Sequence, residues 1–283
     1  MVLRKVKVGI MQGRLLPKYK ERFQAHPIGY WQDEFPLAST LNLDCIEFIL
    51  DCNDYEKNPL IYTGGIEEIL KISKQTNVEV LSICADFFME CSLHNNDSYK
   101  VREGIEILKH LISISPKLGV KNIVIPCVDS SSLNTEQDKN KFVNSLSECL
   151  IDAEKNSVCL ALETDLNPFD FYNLLKMFPS ENVKVNYDIG NSASIGYNPC
   201  EEFKNYGSLI TNIHIKDRIK NGKSVFFGKG DACFENVFNE LKKINYSGIL
   251  IMQAYRDDQG VSIFIEQYNW IKKIINNYLE LNL

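Results

Sequence analysis

Four residues in the second half of the chain have the types and spacing of a metal-assisted site. Glu163 lies in ALETDL, Asp188 in NYDIGN, His214 in IHIKDR and Gln253 in IMQAYR. Each ends or nearly ends a short Val/Ile-rich run, and successive members are 25, 26 and 39 residues apart. Two carboxylates, an imidazole and an amide oxygen suit one divalent cation such as Mg²⁺, Mn²⁺, Co²⁺ or Zn²⁺. Glu163 and Asp188 would balance its charge, and without it one of two neighbouring carboxylates tends to take up a proton. Taken singly, each residue also reads as a cap, a turn former or a solvated group at a strand end. Their recurrence at successive strand ends is what argues for one shared site.

The elements that must position them alternate. Short apolar runs occupy 6–11, 45–50, 78–84, 120–126, 158–163, 183–188, 210–215 and 248–253. Most are continuous rather than alternating, as in strands of a parallel sheet buried on both faces. Amphipathic helical patterns lie at 66–75, 98–118, 135–156, 168–178, 199–206, 231–244 and 261–279. The 135–156 helix opens on a Thr135 cap with an acidic first turn. The 168–178 helix places Pro168 at its first position after Asn167. Eight strand runs alternating with helices predict an α/β fold, a (β/α)8 TIM barrel, whose active site lies at the C-terminal ends of the strands. The open doubly wound sheet is the competing layout, but GIMQGRL offers neither a GxGxxG nor a GxxxxGK[ST] turn after the first strand. No Gly/Ser/Pro-rich linker interrupts the chain, so 1–283 reads as one domain.

Composition narrows the partners. The 283 residues carry 31 Lys+Arg against 37 Asp+Glu, a formal net charge of −6. That balance argues against a protein reading nucleic-acid backbone, which needs a basic face. No apolar run approaches the ~20 residues that span a bilayer, and the N-terminal MVLRKVKVGI lacks the apolar stretch of a signal peptide. Nine scattered cysteines without a CxxC predict a reducing, cytoplasmic compartment rather than a disulfide framework.

Further candidates surround the predicted mouth. Glu47, inside the second strand, faces either the mouth, as a base or substrate contact, or a structural partner. Lys216 and Arg218 are placed to hold a substrate oxyanion, carboxylate or phosphate; the competing reading pairs them with Asp217 on the surface. Gln12 and Arg14 follow the first strand and Arg256 the eighth, in reach of a hydroxyl or phosphate. Trp31 and Phe87 read as an apolar wall for a sugar face or as core. His94, in SLHNND, reads as a substrate contact or a solvated loop residue. Gly228 and Gly230 in FGKGD read as a turn near the mouth.

The set ETDL, NYDIGNSASIGYNP, IHIKDR and FGKGDACFENVFNEL resembles the xylose isomerase-like, or sugar phosphate isomerase/epimerase, superfamily, over essentially the whole chain. The resemblance implies that Glu163, Asp188 and His214 bind one divalent metal. It also implies a sugar or sugar phosphate substrate, proton exchange by two glutamates on opposite faces of an enediolate, and a candidate homodimer. Gln253 departs from the pattern, where the superfamily has a second Glu. An amide still offers a carbonyl oxygen to a hard cation but takes no proton near neutral pH. Glu163 alone can run a one-face aldose–ketose isomerisation. The substitution therefore favours an isomerase over an epimerase, and leaves a dehydratase or lyase and a non-catalytic sugar-binding barrel as alternatives. The superfamily's endonuclease IV branch is disfavoured, because it needs several histidines for three zinc ions and this chain has four in all, only His214 well placed.

Overall fold

A computed structural model describes residues 6–279. Eight parallel strands follow one another around a closed barrel. They are β1 (Lys7–Met11), β2 (Cys45–Ile49), β3 (Glu79–Cys84), β4 (Asn122–Cys127), β5 (Cys159–Thr164), β6 (Val183–Asp188), β7 (Ile210–Ile215) and β8 (Ile249–Met252). β1 pairs with both β2 and β8, which closes the ring. The barrel expectation is met strand by strand; the first five residues of the N-terminal segment read as free of a signal peptide lie outside the described residues.

The Val/Ile-rich runs form strands because both of their faces are covered. β2 and β4 are buried at every position. Outward-facing residues such as Ile10, Ile46, Phe48 and Ile213 join the large core between strands and helices. Inward-facing Met11, Cys45, Ile49, Cys84, Val124, Ala161, Ile249 and Ile251 fill the barrel itself. Two of the nine cysteines are thus small apolar filler there. Gly9 belongs to this layer for lack of room: a Cβ on it would lie 2.7 Å from the Cys45 carbonyl oxygen and 2.9 Å from Ile251 Cδ1.

The outer helices are α1 (Glu34–Thr40), α2 (Gly65–Thr76), α3 (Phe87–Glu90), α4 (Ser98–Leu118), α5 (Glu136–Ser147), α6 (Leu150–Lys155), α7 (Pro168–Lys176), α8 (Ile189–Ile195), α9 (Pro199–Tyr206), α10 (Phe234–Lys243) and α11 (Val261–Leu279). The helix expected over 135–156 is two, α5 and α6, divided at Glu148–Cys149. Its expected cap is present: Thr135 and Asp138 form a reciprocal capping box. Asn167 caps α7 ahead of Pro168. The short helices α1, α3 and α8 are absent from the periodicity reading. Among the described residues no helix is long and apolar enough to cross a membrane.

Candidate active site

Above the apolar filling lies a polar layer built by the period-two geometry of the strands. Asn186 and Asp188 on β6, and Asn212 and His214 on β7, are two residues apart and so share the inward face. A register shift between Val185 and Asn186 brings Asp188 level with His214, the usual work of a bulge beside a site. Glu47 on β2 lies underneath, fully buried. Its Oε1 is 2.7 Å from His214 Nε2 and its Oε2 accepts Asn212 Nδ2 at 2.9 Å. Asn212 Nδ2 also donates to Asn186 Oδ1 at 2.8 Å, which turns the Asn186 amide nitrogen toward Glu163.

This stack leaves His214 Nδ1 3.1 Å from Asn186 Nδ2 and facing two carboxylates, 3.3 Å from Glu163 Oε2 and 3.9 Å from Asp188 Oδ2. Glu163, from the end of β5, is held at both oxygens: Asn186 Nδ2 donates to Oε2 at 2.6 Å and Asn191 Nδ2 to Oε1 at 2.7 Å. Asp188 caps α8 by accepting the Asn191 N–H at Oδ1. Its Oδ2 accepts from Lys216 Nζ at 3.3 Å. Lys216 also donates to Asn191 Oδ1 at 3.1 Å. Gly190 makes room for that lysine, since a Cβ there would lie 2.7 Å from Lys216 Cγ.

The electrostatics follow from this packing. Burial lowers the proton affinity of His214, but the Glu47 charge and the hydrogen bonds to Glu163 and Glu47 outweigh it and hold the imidazole up to about 10. Burial pushes Glu163 up, yet His214, Lys216 and Asn186 together bring it below the ordinary carboxylate value. Asp188 is raised by burial and by Glu163, against Lys216 and His214. Two acids and one imidazole therefore share a buried volume with one lysine beside them.

Glu163, Asp188 and His214 each present one donor atom, all within 4.8 Å of one another. Gln253 follows β8, and its buried Oε1 has no hydrogen-bond partner. Three convergent donors, with an orphaned amide oxygen lining the same cavity as Glu163 and His214, fit a divalent cation. Glu47, Cys84 and His214 also converge. That second set is a poor cation site: Glu47 and His214 are already hydrogen-bonded to each other, and burial lifts the Cys84 thiol well above its usual range, so the thiolate that binds metal is scarce.

Above these residues opens a cavity of about 280 Å³, lined among others by Arg14, Arg22, Gln24, Asp86, Glu163, His214, Lys216 and Gln253. Arg14 reaches it from the loop after β1, fully buried and stacked over Phe23 at 5.0 Å. Its Nη1 donates to the Phe23 carbonyl and its Nη2 to Gln24 Oε1. Burial, aided by Arg256, brings the guanidinium down to about 9.

Other candidates sit elsewhere. Glu47 is beneath the cavity, shielded by His214, and cannot touch a substrate there. Gln12 is buried between His26 Nδ1 and the Ile49 N–H. Trp31 packs edge-on against Phe35 and Phe48, and Phe87 against Phe88 and Tyr55; both are core. Arg256 spends its guanidinium on the Gly13 and Leu16 carbonyls, bracing the β1 loop. Arg218 donates to Asn191 Oδ1 at 2.8 Å and to the Gly222 carbonyl, one side chain back from the cavity. Its expected partner Asp217 instead accepts the N–H groups of Gly228, Gly230 and Ala232, which explains the FGKGD turn. His94 packs on Phe142, His26 lies under the β1 loop and His110 bonds the Leu60 carbonyl, so His214 is the histidine of the cavity. Residue reasoning missed Asn186 and Asn212, which the i−2 positions from Asp188 and His214 signalled. It also missed Asn191, Gln24, Arg22 and Asp86, which no local pattern marks.

A barrel with a donor cluster at the C-terminal mouth defines a class of enzyme-like scaffolds. The xylose isomerase-like TIM barrel family model matches residues 35–274, and the chain belongs to that family. It is 24% identical over 256 residues to the L-ribulose-5-phosphate 3-epimerase UlaE of Escherichia coli O1:K1 / APEC, covering 86% of this chain and 89% of that protein. It is also 24% identical over 287 residues to the putative L-ribulose-5-phosphate 3-epimerase SgbU of Haemophilus influenzae, covering 95% of this chain and 96% of that protein. Among solved structures, the IOLI protein with a binding zinc atom superposes with a TM-score of 0.77 at 19% identity, over 98% of this chain and 100% of that one. D-psicose 3-epimerase in the presence of D-fructose does so at 0.73 and 16%, over 97% and 99%.

Proposed function

We propose that this protein is a divalent-metal-dependent isomerase or epimerase of a sugar or sugar phosphate, with Glu163 as the proton-transferring base. The observation that carries the reading is the convergence of Glu163, Asp188 and His214 donor atoms within 4.8 Å at the floor of the cavity. The curated relatives, named as 3-epimerases of a ketose phosphate, supply the reaction class. Glu163, Asp188, His214 and Gln253 would hold the ion. The chemistry such an ion supplies is polarisation of a carbonyl and the hydroxyl beside it, which acidifies the C–H between them.

The chain's own residues do the rest. Asn186 and Asn191 fix both oxygens of Glu163, so its carboxylate is oriented before substrate arrives. A carboxylate held low at rest is ionised at neutral pH and ready to accept a carbon-bound proton. Lys216 brings positive charge to the cavity wall, where an oxyanion develops. Glu47 anchors Nε2 of His214 and thereby aims Nδ1 into the cluster. Arg14 is the cation on the outer cavity wall that an anionic substrate end would meet, since Arg22 is paired with Asp51.

The test is solvent exchange. Protein loaded with Mn²⁺ and incubated with L-ribulose 5-phosphate in D₂O should place deuterium next to the carbonyl, and Glu163→Gln should abolish it. Exchange at the unaltered rate in that variant overturns the assignment.

A further inference from the structure

We propose that Asp86 is the second proton-transfer group of this site, the acid that returns a proton to the substrate carbon after Glu163 has removed one. The inference rests on the reading of the site given above and sharpens it from isomerase-or-epimerase to an epimerase with two unlike carboxyls.

Inverting a carbon requires one group to take its proton and another to deliver one to the opposite face. Gln253 cannot do this. Besides Glu163, the cavity is lined by the carboxyls of Asp51, Asp86, Glu90 and Asp129. Asp51 is consumed: it pairs with Arg22 Nη1 at 3.1 Å and accepts the N–H groups of His26 and Asn53. Glu90 and Asp129 are exposed on the rim. Asp86 is the partly buried one, and only neutral groups are bonded to it.

Those neighbours also differ between the two oxygens. Gln24 Oε1 accepts from both Gln253 Nε2 (2.7 Å) and Arg14 Nη2 (2.9 Å). That fixes its amide, so Gln24 Nε2 donates to Asp86 Oδ2 at 2.7 Å. Oδ1 accepts only the weak Cys84 thiol donor, at 3.2 Å, and keeps a lone pair that can bear hydrogen. The chain Gln253–Gln24–Asp86 thus places a carboxyl one amide away from Gln253, along the wall of the same cavity as Glu163. Burial raises the proton affinity of Asp86; the Gln24 and Cys84 hydrogen bonds oppose this, and the charges of Glu163 and Asp51 add to it, for a net rise. The charged groups around it are therefore Glu163 and Asp51, with Arg14 on the opposing side.

The step balances without an oxidant. Glu163 carboxylate takes the proton from the C–H beside the carbonyl, and the bonding pair passes into an enediolate. The Asp86 O–H then breaks, the enediolate C=C pair bonds its proton on the other face, and an oxyanion lone pair re-forms the carbonyl. Glu163 ends protonated and Asp86 ionised, and both reset through cavity water.

The experiment uses Mn²⁺-loaded full-length protein with L-ribulose 5-phosphate in D₂O, reading deuterium uptake at C3 and appearance of the C3 epimer in the same tube. Asp86→Asn is expected to keep uptake within about threefold while epimer falls about 100-fold or more, the scale of a lost general acid. Asp86→Glu, which retains a carboxyl on a longer stem, should show an intermediate ratio and covers the case in which the Asn variant does not fold by circular dichroism. An unchanged epimer-to-uptake ratio in a folded variant overturns the proposal and leaves the functional reading standing, as does a parallel fall of both signals. Absence of uptake in the unaltered protein overturns the functional reading and this proposal with it.

Discussion

Glu47 Oε1 lies 2.7 Å from His214 Nε2, at the bottom of the polar layer where neither side chain meets solvent. The contact joins β2 to β7 across the barrel interior and decides which imidazole nitrogen faces the cavity. A carboxylate that accepts from one ring nitrogen fixes the ring and makes the other a better donor to a cation. Glu47→Gln should therefore weaken Mn²⁺ binding by about 10–100-fold, the usual effect of losing such a support, with the far-UV spectrum retained. Competition against a fluorescent chelator reads it.

The close fit of Gly190 under Lys216 makes a second prediction. A Cβ at Gly190 would sit 2.7 Å and 2.9 Å from Lys216 Cγ and Cβ and 3.0 Å from its carbonyl carbon. Gly190→Ala should cost about 1–3 kcal/mol through overpacking and should mimic Lys216→Met in steady-state assays. Urea unfolding gives the first quantity. A combined variant no slower than either single one would show that both act on one lysine.

Acid sensitivity should trace to His26. Burial brings its imidazole from 6.5 down to about 3, and its Nε2 has no partner. The folded protein keeps it neutral while the unfolded chain takes up a proton below about pH 6.5. Its share of stability is thus complete above that pH and is lost as pH falls toward 3, by at most about 1.4 kcal/mol per unit. Glu34 runs the other way. Burial pushes it up to about 7, so its share is complete below 4.5 and lost as pH rises through 7. Comparing the unaltered protein with His26→Gln cancels Glu34: the stability difference between them should shift in favour of the variant as pH drops from 6.5 to 4.5. Urea midpoints at several pH values check it, and a constant difference would count against the assignment.

The orphaned Gln253 oxygen carries a further prediction. Gln253→Leu removes the Oε1 donor and the Nε2 bond to Gln24. Divalent-ion affinity should fall at least tenfold, whereas Gln253→Glu, which restores a charged oxygen donor, should raise it. Isothermal titration with Mn²⁺ distinguishes the two.

What was legible in the sequence divides along physical lines. The eight strands were legible because β-strands buried on both faces require uninterrupted Val/Ile runs, and the eight runs close in order. The metal-type donors were legible because strand ends in a barrel share one mouth. The polar layer was half legible: Asn186 and Asn212 sit two residues before Asp188 and His214, but nothing local says that Glu47, 167 residues from His214, lies beneath them. Short α1, α3 and α8 escaped because a single turn or two leaves too little periodicity to read. Gln24 and Asp86 escaped for another reason. They join the site through contacts spanning 62 and 229 residues, made by a loop that tertiary bracing from Arg256 holds down. Arg256 and Trp31 looked like mouth residues because they follow or flank strand ends; their side chains turn back to carbonyls and core instead.

Glu163, Asp188, His214 and Gln253 should together hold one divalent ion. Anomalous diffraction from crystals grown with Mn²⁺ tests this. A single strong peak is expected about 2.0–2.6 Å from carboxylate oxygens of Glu163 and Asp188, from His214 Nδ1 and from Gln253 Oε1. A peak at His214 Nε2 between Glu47 and Cys84, or none in the barrel mouth, would contradict it.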